Sequence, residues 1–324
     1  MKQAITLAIC ILASQLLFCQ NNDTYPTREE VRHYKIQYDF GDRVTNLYKM
    51  TYTTKVNRSL DDNSTKSYER TIELFISYWR PTSPTDGFAE VKTTLDSIHY
   101  LYKGDTTNIV WSSQDDDFFI PDVTDFDNVF AIMGREFYTT ISPYFEVAKI
   151  ESESLTEARD NIDKMSDSIL QYIWKKANTD DNLIFLTDMN KGVVHSGRYA
   201  VDSTWRTKFT IPIEGVRYTC DTATVLFEKY DGKDFYFKAD IPKMYPNTVD
   251  YTNVIGLNRI LVPVDSKSYS TGYWEMCISP RGLVRTANGT FTTKAIAEYN
   301  KHKWTDDITT EIKFEFISNK RWVE

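Results

Sequence analysis

Apolar side chains recur at every second residue in segment after segment of this chain, and no other feature constrains its fold as strongly. Tyr34, Ile36, Tyr38 and Phe40 alternate with Lys35, Gln37 and Asp39, and Tyr48, Met50, Tyr52 and Val56 keep the same period. So do Ile72, Leu74, Ile76 and Tyr78, then Phe209, Ile211 and Ile213, then Phe235, Phe237, Ala239 and Ile241, and finally Ile312, Phe314 and Phe316. Successive side chains of a strand point to opposite faces, so this pattern calls for sheets with one apolar and one solvated face, which antiparallel pairing supplies. The expected class is mainly β (α+β), a curved antiparallel sheet. Aromatic residues make up 14% of the chain and suit pleated, half-buried surfaces. The alternation assigns Tyr34, Tyr38, Tyr48 and Tyr52 to the core, whereas Trp79 and Trp111, near apparent strand ends, are expected to be more exposed.

One segment departs from period two. Leu155, Ala158, Ile162, Met165, Ile169 and Ile173 are spaced three or four apart, one face of an α-helix. Ser154 with Glu157 reads as a capping box that opens it. The expectation is one long amphipathic helix over 154–176, laid on the concave side of the sheet.

The stretches on either side of that helix look related. Ile141-Ser142-Pro143 followed by Val147 matches Ile278-Ser279-Pro280 followed by Val284. Leu74-Phe75 with Tyr78, then Asp86-Gly87, echoes Leu226-Phe227 with Tyr230, then Asp231-Gly232. The Ser-Pro pairs read as strand-to-turn junctions, since proline cannot continue a ladder. These matches imply two β-units, 34–150 and 191–324, joined by a helical connection at 151–190, with 34–324 expected to be continuous.

At the N-terminus, Lys2, an apolar run from Ala4 to Phe18 and polar residues from Gln20 have the layout of a secretory signal peptide. Residues 1–19 are read as that signal and 20–33 as a linker. This predicts an exported protein, periplasmic, attached to the outer membrane, or secreted. Cleavage after Cys19 and lipidation of Cys19 both stand as readings. No later apolar stretch is long enough for a membrane helix. Beyond the signal only Cys220 and Cys277 remain, in β-like segments. In an oxidising compartment they pair as a disulfide, or they are two buried free thiols.

Three short stretches carry a family resemblance. They are Tyr38-Asp39-Phe40-Gly41-Asp42 before a Tyr/Lys-rich strand, Ile141-Ser142-Pro143-Tyr144-Phe145-Glu146-Val147 before the helix, and Asp202-Ser203-Thr204-Trp205 opening the second half. In these the chain resembles an uncharacterised family of exported bacterial β-rich proteins, themselves similar to lipoprotein-carrier half-barrels. The resemblance spans roughly residues 30 to 318 and implies a curved sheet wrapped around a helix. Phe145 stands where a turn glycine is expected, while Gly282 in the second half keeps it. No catalytic residue transfers.

The formal charge is −8, and no basic run tracks along the chain, so nucleic acid is excluded as an expected partner. Nucleophile elbows, zinc-protease motifs and phosphate-binding glycine loops are absent, and no cofactor is expected from motifs. Asp115-Asp116-Asp117 with Asp122, Asp125 and Asp127 is the densest charge cluster. Asp115, Asp117, Asp125 and Asp127 offer the oxygens that calcium prefers, or the acids of a hydrolase, or form a plain solvated loop. The leading functional expectation is an exported binding or carrier protein for a hydrophobic or lipid-like ligand, held against Ala158, Ile162, Met165 and Ile169. An interaction module for an envelope protein or glycan is the second.

Overall fold

Where the sequence alternates, the chain is strand. A computed structural model describes residues 32–37, 44–80, 88–115, 130–144, 146–247, 251–253 and 261–321, and residues 34–324 group as one unit. After β1 (His33–Tyr34) come β2 (Val44–Leu60), β3 (Thr65–Trp79), β4 (Ala89–Gly104), β5 (Asn108–Ser112), β6 (Glu136–Ile141) and β7 (Val147–Glu151). Three helices come next, α1 (Glu153–Asp163), α2 (Ser168–Ala177) and α3 (Asp180–Thr187). The second half holds β8 (Tyr199–Ala200), β9 (Thr204–Ile213), β10 (Val216–Tyr230), β11 (Phe235–Pro246), β12 (Tyr251–Asn253), β13 (Leu261–Pro263), β14 (Tyr269–Ile278), β15 (Val284–Tyr299) and β16 (His302–Arg321).

One large antiparallel sheet takes most of these strands, in the order β7-β6-β4-β3-β2-β16-β15-β14-β11-β10-β9, with β5 beside β6 on the same edge of β4. It is not a closed barrel, for the path ends at β7 and β9. The order contains two five-stranded meanders, β2-β3-β4-β6-β7 and β9-β10-β11-β14-β15. The last strand, β16, joins them by pairing with β15 on one side and β2 on the other. The matched Ile-Ser-Pro segments close the final hairpin of each meander with one turn geometry. Ile141 pairs with Val147, and Ile278 with Val284. In the first turn the Ser142 amide donates to the Glu146 carbonyl at 2.9 Å and Ser142 Oγ accepts the Glu146 amide at 3.1 Å; Ser279 and Leu283 repeat both bonds at 2.9 and 3.1 Å. Both serines are buried, so Ser279→Ala leaves a shielded N–H without its acceptor. A loss of about 1–3 kcal/mol is expected in urea unfolding, and an unchanged midpoint would show that the turn is not held this way.

The alternation sets which face goes inward. Tyr48, Met50 and Val56 of β2, Leu74, Ile76 and Tyr78 of β3, and Ile312 and Phe314 of β16 are all buried. The sheet then rolls over its second half. Phe209 of β9 lies 6.2 Å from Trp274 and 6.0 Å from Phe291, centroid to centroid, although β14 and β15 are three and four strands away in the sheet order. The other face of the β9–β10 hairpin meets the first meander, where the Tyr52 hydroxyl donates to the Pro212 carbonyl at 3.4 Å. At its Pro212 end, therefore, β9 is covered on both faces.

Three local expectations change. The single 154–176 helix is two helices, because Ser166 and Asp167 interrupt it: Asp167 Oδ1 accepts the Ile169 and Leu170 amides and starts α2 afresh. Gln171 reaches back to the Ile162 and Asp163 carbonyls at the end of α1. The cap of α1 is Ser152, whose Oγ accepts the Leu155 amide at 3.2 Å, while Ser154 donates to the Glu136 carbonyl of β6. Trp111 is buried at 8% exposure rather than exposed, and Trp79 is half-buried with Lys92 Nζ 6.0 Å from its ring. The strand expected over 34–40 stops at Tyr34, with residues 35–37 outside any strand and 38–40 outside the described residues.

Candidate functional site

Rolling the sheet leaves a cavity of about 660 Å³ between the first meander, the β9–β10 hairpin and the helices. Its walls differ in kind. Met50, Ile72 and Leu74 contribute the inward apolar face of β2–β3, and Ala177, Ile184 and Leu186 extend it across α2 and α3. Facing them are Lys208, Thr210, Arg217 and Thr219 from the side of β9–β10 that points away from Phe209 and Ile211. Alternation produces this contrast: a strand covered on both faces presents its polar set to whatever packs second. Thr210 and Thr219 hydroxyls lie 3.1 Å apart across the hairpin.

Two strained turns frame the cavity. Glu214 and Gly215, at φ +50° and +78°, form the two-residue link of β9–β10, a left-handed pair that matches the twist of a hairpin. Glu214 is held there by Arg70 at 2.5 Å and by the Tyr68 hydroxyl at 2.6 Å, while Lys176 of α2 donates to the Gly215 carbonyl at 2.5 Å. Lys191 and Gly192, at φ +49° and +75°, make the second turn. Asp188 fixes it by accepting the Asn190 amide at 2.8 Å and the Lys191 amide at 3.1 Å. The Lys191 ammonium donates to the Phe185 carbonyl at 2.5 Å and lies 4.1 Å from the Phe185 ring centroid. Burial pushes this ammonium down to about 8, against the pull of Asp188, and the same burial raises the Asp188 carboxyl. Tyr52 is driven up to about 12 by burial and then by the Glu214 charge.

Such a site can hold an amphipathic molecule, with carbon on one wall and charge on the other. Among the described residues no histidine lines it. His195 packs with Tyr199 and Trp205, and His302 faces Asp61 at 3.2 Å. The structure brings none of the expected ligand residues to the cavity. Ile162 is buried, Ala158 and Met165 are half-buried, Ile169 is 38% exposed, and the helical lining runs instead from Lys176 to Asp188. Of the acidic set, Asp115 lies just past β5 and its amide donates to the Ser112 carbonyl. Asp117, Asp125 and Asp127 lie outside the described residues, as does Cys19. No metal-holding group of side chains occurs among the described residues. No described helix is long and apolar enough to cross a membrane.

Of the two readings of the cysteines the structure has the free thiols and not the disulfide, with Cys220 buried and Cys277 half-buried. Cys220 on β10 is level with Met244 of β11, one residue beyond the Thr219–Tyr245 pair, whereas Cys277 on β14 is opposite Tyr236. They sit two strand spacings apart across the sheet, about 9.5 Å, and are offset along it as well, beyond the roughly 7 Å that a disulfide spans.

Sequence reasoning took Met50, Ile72 and Leu74 for core and missed Arg70, Lys191, Lys208 and Glu214. A Glu-Gly pair between two alternating runs was the available sign of the β9–β10 hairpin.

No family model matches the chain, and no curated protein matches it. Among solved structures, one of lipid–protein interactions in lipovitellin aligns at a TM-score of 0.43 and 9% identity, over 88% of this chain and 26% of lipovitellin. The chain thus spans about a quarter of that protein. DynF from the dynemicin biosynthesis pathway of Micromonospora chersina aligns at 0.20 and 6% identity over 88% and 85% of the two chains. OccK5 (OpdH) of Pseudomonas aeruginosa aligns at 0.24 and 9% identity over 85% and 98%. Likenesses this distant assign neither family nor function.

Proposed function

We propose that this protein is an exported binding or carrier protein that holds a small amphipathic or lipid-like molecule in the cavity between β2–β3, β9–β10 and α2–α3. One observation carries the reading: a cavity of about 660 Å³ to which β2, β3, α2 and α3 contribute apolar side chains, within the range of small-molecule sites and larger than packing defects leave in a core. The leader-like N-terminus fits a protein that meets such molecules outside the cytoplasm. A cavity that admits carbon chains is emptied of room by a large side chain on its apolar wall. Ile72→Trp and Ile184→Trp should each weaken uptake of the neutral fluorophore phenylnaphthylamine by about tenfold or more, measured by fluorescence titration. Ala158→Trp, on α1 and away from the lining, serves as the control and leaves uptake intact. Equal binding by all four proteins would remove the cavity as the site.

A further inference from the structure

The cavity's charges are not balanced among themselves. Among the described residues its lining carries five cationic side chains against three carboxylates, in a chain whose formal charge is −8. Two of the carboxylates are engaged: Glu214 with Arg70 at 2.5 Å, and Asp181 with Arg217 at 2.8 Å. The third, Asp188, is turned onto the amides of Asn190 and Lys191. Among the described residues, Lys191 and Lys208 have no carboxylate at ion-pair distance. Lys208 is exposed, but Lys191 is buried at 8% exposure, with a carbonyl and a ring face against its ammonium and the Asp188 carboxylate acting on it only from beyond ion-pair distance.

Taking an ammonium out of water without an anion in direct contact is costly, and an anion brought against it in the same low-dielectric space offsets that cost. Lysine supplies a compact point charge suited to a carboxylate or phosphate. We infer that the ligand of this cavity is a single-chain amphiphile with an anionic head, a carboxylate or a phosphate monoester, whose charge lies between Lys191 and Lys208 while its chain lies on Met50, Ile72 and Leu74. This rests on the cavity being the binding site, so its test separates the head from the chain.

The full chain is titrated by calorimetry with dodecanoate, dodecyl phosphate and dodecanol, which share a tail and differ in the head. Both anions, or one of them, should bind at least about tenfold tighter than dodecanol. Binding by one alone identifies that head. Lys208→Glu, at an exposed position that folding tolerates, should shrink this preference. Lys191→Met combined with Lys208→Met should abolish it while dodecanol still binds, and Lys191→Arg should keep it. Dodecanol binding as tightly as the anions overturns the anionic head and leaves the cavity reading in place. Failure of all three probes takes both down together.

Discussion

Replacing Asp306 by alanine is expected to lower the free energy of unfolding by about 3–5 kcal/mol, since it strands a buried guanidinium. Arg58 and Asp306 face each other across the β2–β16 ladder, each 3% exposed. Arg58 Nε and Nη2 donate to the two carboxylate oxygens at 2.7 and 2.6 Å, a bidentate fork, and the guanidinium lies 5.0 Å from the Trp304 ring centroid. Val56 and Ile308, two positions along the same inward faces, are buried and apolar. Neither of these two side chains can accept a hydrogen bond in place of the carboxylate. The pair itself adds little over a well-packed apolar one, because both ions lose their hydration on folding. The double variant Arg58→Met with Asp306→Leu should therefore recover most of what Asp306→Ala loses. Urea unfolding of the three variants checks this. A cost below about 1 kcal/mol for Asp306→Ala would place the pair among solvated surface bridges, which contribute no more than that.

The second large effect falls on a glycine with ordinary strand neighbours. Gly289 of β15 stands opposite Trp274 of β14, and Gly272 stands opposite Phe291. These pairs lay two large rings over positions that have no side chain. A Cβ at Gly289 would overlap the Trp274 ring and come within 2.7 Å of the Phe291 ring. Both rings are fully buried, so neither swings away. Gly289→Ala is expected to cost about 1–3 kcal/mol through overpacking, although alanine normally favours a folded strand over glycine. The cause is testable by a double-mutant cycle. With Trp274→Leu already present, the same Gly289→Ala change should cost less than about 0.5 kcal/mol. An equal cost in both backgrounds would move the explanation from the ring to the backbone.

Much of the fold was legible because strand faces are a local property. Period two in Tyr48, Met50 and Val56 or in Phe235, Phe237 and Ala239 fixes which side chains point inward, whatever the strand pairs with, and those residues are buried. The paired Ile-Ser-Pro segments likewise read as strand-to-turn junctions, since a serine and a proline shape a turn within a few residues, and each lies at one. The segment is helical as its three- and four-residue spacing implies, but it is two helices rather than one, and Ile169 of the expected apolar stripe is exposed. A stripe of apolar residues survives a four-residue break, and Asp167 could be recognised as a cap only by what its carboxylate accepts.

The sequence by itself therefore determined that this chain is an antiparallel β protein, and which residues of its clearly alternating segments, such as β2, β3, β9, β11 and β16, point inward. Only the tertiary structure decided that β16 enters between β2 and β15, and that the sheet rolls until the end of β9 is covered on both faces. It alone set Arg58 against Asp306 and Arg70 against Glu214, 248 and 144 residues apart. The cavity depends on those choices, because its apolar and polar walls come from different meanders. Alternation specifies the faces of a strand. It carries no information about which distant face will be opposite, and that is settled by strand order and curvature, which arise only when the whole sheet assembles.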